Sequence, residues 1–250
     1  MAMDYFEQAD KQITKAIQKA TEAVPDGYFG QQALLNLFLK LVDYKSMLPF
    51  SYQMYGGYAL FGNPKEIDLE ECKNKAVRSY KMAGSGAFQW KNSVVSLLVN
   101  NGAVINNTTS KTWANKRVST LFYTFDGKFG LRKVLYASEL PKNTKWAISG
   151  VGLVSNVPNF YHPDWEGFVG KFADVLETRN HAVFGFKEDG TVVYFLQPSC
   201  SMKKLMWLAK EVYGLKFAIS LDGGHIPAIQ SDKFSFNKSQ IQNNVVIFRR

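Results

Sequence analysis

The chain has 250 residues, 46% apolar and 14% aromatic, which suffices for a sizeable core and argues against a disordered chain. A formal net charge of +9 points to an anionic contact such as nucleic acid, a phosphorylated polymer, a wall polyanion or a membrane surface. Its lysines are scattered without any run of five basic residues, so a solvated surface of mixed sign accounts for the charge equally well.

In chain order, Phe6, Ile13, Ile17, Ala20 and Val24 share one helical stripe, which Pro25-Asp26-Gly27 ends. Residues 31–44, "QQALLNLFLKLVDY", read as a second and more apolar helix. Together these form a helical hairpin, residues 1–50, expected to dock on the body or to self-associate through residues 4–44. From residue 51 to 250 the texture is that of one α+β domain. A helix is expected to open at Asp68, where Asp68-x-x-Glu71 has the form of a capping box. Strands are expected at 93–99, 118–124, 131–136, 146–154, 181–186, 191–197, 217–221 and 245–249. Asp126-Gly127 and Asp189-Gly190 mark tight turns, the second joining 181–186 to 191–197 as a hairpin. Helices are expected at 164–177 and 202–213, with Gly214 as the stop of the latter. The expected fold class is α+β, a mixed and mostly antiparallel sheet with helices packed on it, plus the N-terminal hairpin.

The opening "MAMDYFEQADKQ" lacks the apolar core of a secretory signal, and no run of about 18 apolar residues occurs. A cytoplasmically made chain without a membrane span is therefore expected. Cys72 and Cys200 have neither CxxC nor zinc spacing, which leaves one disulfide or two buried thiols. Phosphate-binding glycine motifs and the GxSxG elbow are missing. His162, His181 and His225 show no HExxH arrangement, and no metal or cofactor is expected.

Two strand ends carry the chemistry. "FAISLDGGHIP" (217–227) runs an apolar strand into Asp222, Gly223, Gly224 and His225. It reads either as a plain turn or as a low wall where a ligand approaches backbone between a carboxylate and an imidazole. "LLVNNGAVI" (97–105) opens likewise into Asn100-Asn101-Gly102. Arg179, just before a strand, is either a surface charge or an anion clamp whose planar fork meets phosphate oxygens in pairs.

The order "RNHAVFGFKEDGTVVYFLQ", "LMWLAKEVYG", "LKFAISLDGG" resembles the C-terminal half of the phosphodiester glycosidase domain family, the N-acetylglucosamine-1-phosphodiester alpha-N-acetylglucosaminidase-like proteins. Matching positions are Arg179, Ala182-Val183, Gly185, Asp189-Gly190, Leu208-Ala209, Gly214 and Leu221-Asp222-Gly223-Gly224. Upstream, "LLVNNGAVI" and "SGVGLVSN" (149–156) are similar to two further family segments, so the resemblance spans roughly residues 85–230. Three departures fall at the pocket: Asn101 replaces a glycine, His225-Ile226 replaces Gly-Ser, and Arg179-Asn180-His181-Ala182 holds an insertion.

The resemblance implies hydrolysis of a sugar-1-phosphodiester in a glycan or phosphorylated polysaccharide. Arg179 would hold the phosphate, and Asp222 would act as nucleophile, base or cation stabiliser. Asn100 would orient sugar hydroxyls beside Asn101 and Gly102, Gly223 and Gly224 would keep the wall low, and His225 would be acid/base or filler. It further implies that strands 93–99, 181–186 and 217–221 share one sheet. The second reading is a non-catalytic binding or structural module on the same fold, with a viral particle as its setting. Nucleic acid is not expected as a partner, because no recognition motif is present.

Overall fold

The computed structural model describes residues 44–54, 56–91, 93–109, 117–154 and 177–249. The chain divides into two units, Met1–Met47 and Leu48–Arg250. Of the first, only a 3-10 turn, Tyr44–Met47, is described. The expected helical hairpin and nearly all of the 164–177 helix lie outside the described residues.

The second unit is built on strands. One sheet has the order β1 (Phe50–Met54), β2 (Gly57–Gly62), β14 (Val192–Cys200), β13 (Arg179–Lys187), β15 (Leu215–Ser220), β12 (Val151–Val154). A second runs β10 (Phe129–Val134), β9 (Val118–Thr124), β11 (Thr144–Ser149), β7 (Leu98–Asn100), β8 (Ala103–Asn106). A third runs β17 (Ser235–Phe236), β16 (Ile229–Gln230), β4 (Ala83–Ser85), β18 (Ile241–Phe248), β3 (Ile67–Ala76). A short ribbon pairs β5 (Gln89–Trp90) with β6 (Ser93–Val94). Every pairing is antiparallel.

This overturns the α+β expectation of packed helices. Among the described residues there is one α-helix, α1 (Met202–Trp207), continued by a wider π turn over Leu208–Val212. Ser201 caps it, its Oγ accepting the Lys204 N–H at 3.3 Å, and Gly214 follows its end at φ +62°. The helix expected at Asp68 is the strand β3. Ile67 and Leu69 are buried while Asp68 and Glu70 are only half-buried, a two-residue period that a sheet edge satisfies and a helix does not. Asp68 and Glu70 instead make side-chain bonds to Arg249 and Tyr80. The expected strands 93–99 and 146–154 are each broken, the latter at Gly150. There the chain leaves the second sheet for the first, and a Cβ would stand 2.4 Å from Ser220 O.

Trp146 of β11 joins the first two sheets. Its ring lies 5.4 Å from Phe186 and 5.6 Å from Phe184 on β13, and 5.9 Å from Tyr123 on β9. Its Nε1 donates to Pro64 O at 2.9 Å, so the one polar atom is satisfied. Burial of such a side chain contributes about 3 kcal/mol. The third sheet joins through Tyr194 of β14, whose hydroxyl meets Ser85 Oγ on β4 at 2.8 Å. Both cysteines are buried free thiols, with burial pushing each up to about 11. Among the described residues no helix is long and apolar enough to cross a membrane.

Candidate functional site

β13 and β15 run side by side, with Val183 opposite Ser220. The pairing continues past the end of β15: Leu221 N–H donates to Ala182 O at 2.8 Å and Gly224 N–H to Asn180 O at 2.9 Å. The turn Asp222-Gly223-Gly224 is thereby held against the first residues of β13. Arg179 opens that strand, and its side chain lies over the turn. A Cβ at Gly224 would come within 2.1 Å of Arg179 Nη2, and one at Gly223 within 3.6 Å of Arg179 Cδ. Gly224 also has φ +76°, a conformation that disfavours any side chain. Gly224 is therefore the residue that lets a guanidinium rest on backbone, while a side chain at Gly223 would make only an ordinary contact with the arginine.

The Asp222 carboxylate is oriented by two backbone donors. Gly223 N–H reaches Oδ1 at 2.9 Å, and Gln89 N–H, from the β5–β6 ribbon, reaches Oδ2 at 3.2 Å. Gln89 is in turn fixed by the third sheet, its Oε1 accepting Asn243 N–H at 2.8 Å. Three structural layers thus converge on one carboxylate. Arg179 and Asp222 are half-buried and His225 is exposed.

Two residues along β13 from the arginine is His181, which is wholly buried. Burial, aided by the nearby Arg179 charge and opposed by a contact from Nε2 to Glu177 O at 3.2 Å, lowers its pKa to about 4. The ring is therefore neutral near pH 7.

The other sequence-derived residues have a different setting. Asn100 ends β7 in the second sheet, and its Oδ1 accepts the Leu69 N–H of β3 at 3.0 Å. Asn101 at φ +47° and Gly102 at φ +78° form the exposed two-residue turn between β7 and β8. Gly102 N–H donates to Lys145 O at 2.8 Å. The expectation of a single sheet is thus corrected. Strands 181–186 and 217–221 are neighbours, but 98–100 pairs with β11 elsewhere, because the buried face of Leu98 packs with the Trp146 layer. Gln89, Asn180 and Asn243 were not foreseen as site residues. Their part is played by backbone groups and amides that meet partners far along the chain, Gln89 and Asn243 being 154 residues apart, for which a sequence carries no local mark.

No protein-family profile and no curated protein matches the chain by sequence. Solved structures do match in fold. The catalytic domain of zebrafish N-acetylglucosamine-1-phosphodiester alpha-N-acetylglucosaminidase, auto-inhibited by its pro-peptide, superposes with a TM-score of 0.63 at 13% identity, over 78% of this chain and 77% of that one. A hypothetical protein from Synechocystis gives a TM-score of 0.50 at 9% identity, over 79% of this chain and 60% of that one. An exported protein from Burkholderia pseudomallei gives 0.50 at 10% identity, over 78% and 74%. At these identities the likeness is one of fold: the chain shares a distant fold relationship with a phosphodiester glycosidase.

Proposed function

We propose that the protein hydrolyses a sugar-1-phosphodiester at its anomeric bond, on a glycan or a phosphorylated polysaccharide. The observation that carries this reading is Arg179 seated on the Gly223-Gly224 turn beside an Asp222 carboxylate held by two backbone amides. A guanidinium suits two phosphate oxygens. A fixed carboxylate suits the cationic character that builds on the sugar as the bond breaks. In the reaction, water oxygen bonds to the anomeric carbon while the bond from that carbon to the phosphoryl oxygen breaks. The electron pair leaves with the phosphate, whose added charge meets Arg179. Asp222 stabilises the sugar cation or takes the proton of the attacking water. His225 stands exposed next to Gly224.

The binding-module reading is favoured by one specific observation: both Asp222 oxygens accept backbone N–H groups, which is also what a turn-forming aspartate does. Asp222→Asn separates the two. The amide keeps one acceptor but turns an NH2 toward the other N–H, lowering stability by about 1–2 kcal/mol in either case. As a hydrolase the variant additionally loses on the order of a hundredfold in rate, about 3 kcal/mol of barrier. Turnover of methyl N-acetylglucosamine-1-phosphodiester is the assay. Activity equal to wild type in the folded variant would remove the catalytic role of Asp222.

A further inference from the structure

Trp90 is 66% exposed although it lies one residue from the backbone N–H that holds Asp222. An indole in water needs a reason, since its area belongs to cores and to binding surfaces. Its backbone is not loose. Gln89 Oε1 accepts Asn243 N–H at 2.8 Å, and Asn243 Nδ2 donates to Lys91 O at 2.7 Å. Asn243 is buried, so the residues on both sides of Trp90 are tied to one residue of the third sheet, Gln89 through the Asn243 backbone N–H and Lys91 through the Asn243 side chain. Lys91 completes the turn at φ +53°. Among the described residues no ring stacks on the indole. The chain therefore presents a large aromatic face from a rigid strand.

Its distance from the site is set by covalent geometry. Asp222 Oδ2 lies 3.2 Å from Gln89 N, which places Trp90 Cα within about 8 Å of the carboxylate. Two residues this close can serve one bound molecule.

We propose that Trp90 is a stacking platform for a pyranose ring of the substrate, beside Asp222 and with the phosphate on Arg179. The apolar C–H face of the sugar covers the indole, and the hydroxyl edges stay wet. The assignment rests on the sugar-phosphodiester reading of the site and adds to it the residue that selects for a sugar. Arg179 selects only for an anion, and Trp90 for the ring attached to it. Sites of this kind combine aromatic area with a few polar anchors.

The test uses the full chain as wild type, Trp90→Ala and Trp90→Phe, titrated calorimetrically with methyl N-acetylglucosamine-1-phosphodiester and, separately, with inorganic phosphate. Trp90→Ala should weaken diester binding about tenfold or more and Trp90→Phe about threefold or less, while phosphate affinity stays the same in all three. Equal diester affinity in wild type and Trp90→Ala, including no binding by either, overturns the platform. So does an equal loss of phosphate affinity in Trp90→Ala, which would mean that the ribbon has collapsed. Trp90-dependent diester binding without any turnover by wild type supports the platform and ends the hydrolase reading alone.

Discussion

Gly224→Ala is the substitution that most directly tests whether Arg179 must rest on the turn. It has two consequences of different kinds. Backbone at φ +76° places an added methyl in a left-handed conformation, which costs about 1–2 kcal/mol. The methyl would also stand 2.1 Å from Arg179 Nη2, against about 3.4 Å for an ordinary contact, so the guanidinium must withdraw by about 1.3 Å. The end of an arginine moves easily, and the withdrawal adds little to the loss of stability. It matters for function, because a misplacement of about 1 Å in a positioning group can cost about a hundredfold in rate. The variant should thus melt only a few degrees lower, about 3–6 °C. It should lose about a hundredfold in kcat/KM on methyl N-acetylglucosamine-1-phosphodiester and bind inorganic phosphate more weakly. Gly223→Ala is the control: its methyl would meet Asn180 O at 3.2 Å and Arg179 Cδ at 3.6 Å, requiring shifts of only tenths of an ångström. It should keep most of the activity. Wild-type kcat/KM and phosphate affinity in a folded Gly224→Ala protein would show that Arg179 need not rest on the turn, and so would equal losses in both variants.

His181 should make the protein sensitive to acid. Its pKa falls from 6.5 to about 4 on folding, so the unfolded chain binds more protons between those values. Stability is therefore full above pH 6.5 and is lost by up to about 3 kcal/mol as the pH falls through 4. Urea melts of wild type and His181→Gln from pH 7.5 to 4 should show a shallower acid loss in the variant; equal slopes would deny His181 the role. Asn244→Ala should destabilise by about 3 kcal/mol, read as a lower denaturant midpoint. Asn244 Oδ1 and Nδ2 satisfy the N–H and C=O of Ala87, and both would be left buried without those partners. A shift below about 1 kcal/mol would show that water replaces the side chain.

Some of this architecture was legible in the residues because its signals are local. Asp189-Gly190 with flanking β-rich runs predicts the β13–β14 hairpin, and Phe186 does pair with Val192 across it. Gly214 stops the 202–213 helical run, and "LDGG" marks a strand running into a bare turn; each depends on a few neighbouring residues. The fold class was not legible. β3 carries the charged run "IDLEECKNKA", whose Asp and Glu spacing imitates a helix start, and only pairing with β18, about 170 residues later, makes it a strand. β7 and β15 both end in turn chemistry, yet they lie in different sheets, β7 beside β11 and β15 beside β13. The site divides in the same way. Asp222, Gly223, Gly224 and Arg179 were candidates from the strand-to-turn pattern, and only the family resemblance gave them roles. That Asn100 instead holds Leu69, that Gln89 steadies Asp222, and that Trp90 stands in water beside it were decided by tertiary structure alone. Hydrogen-bond partners distant in sequence are chosen by how sheets pack, and no local pattern encodes that choice.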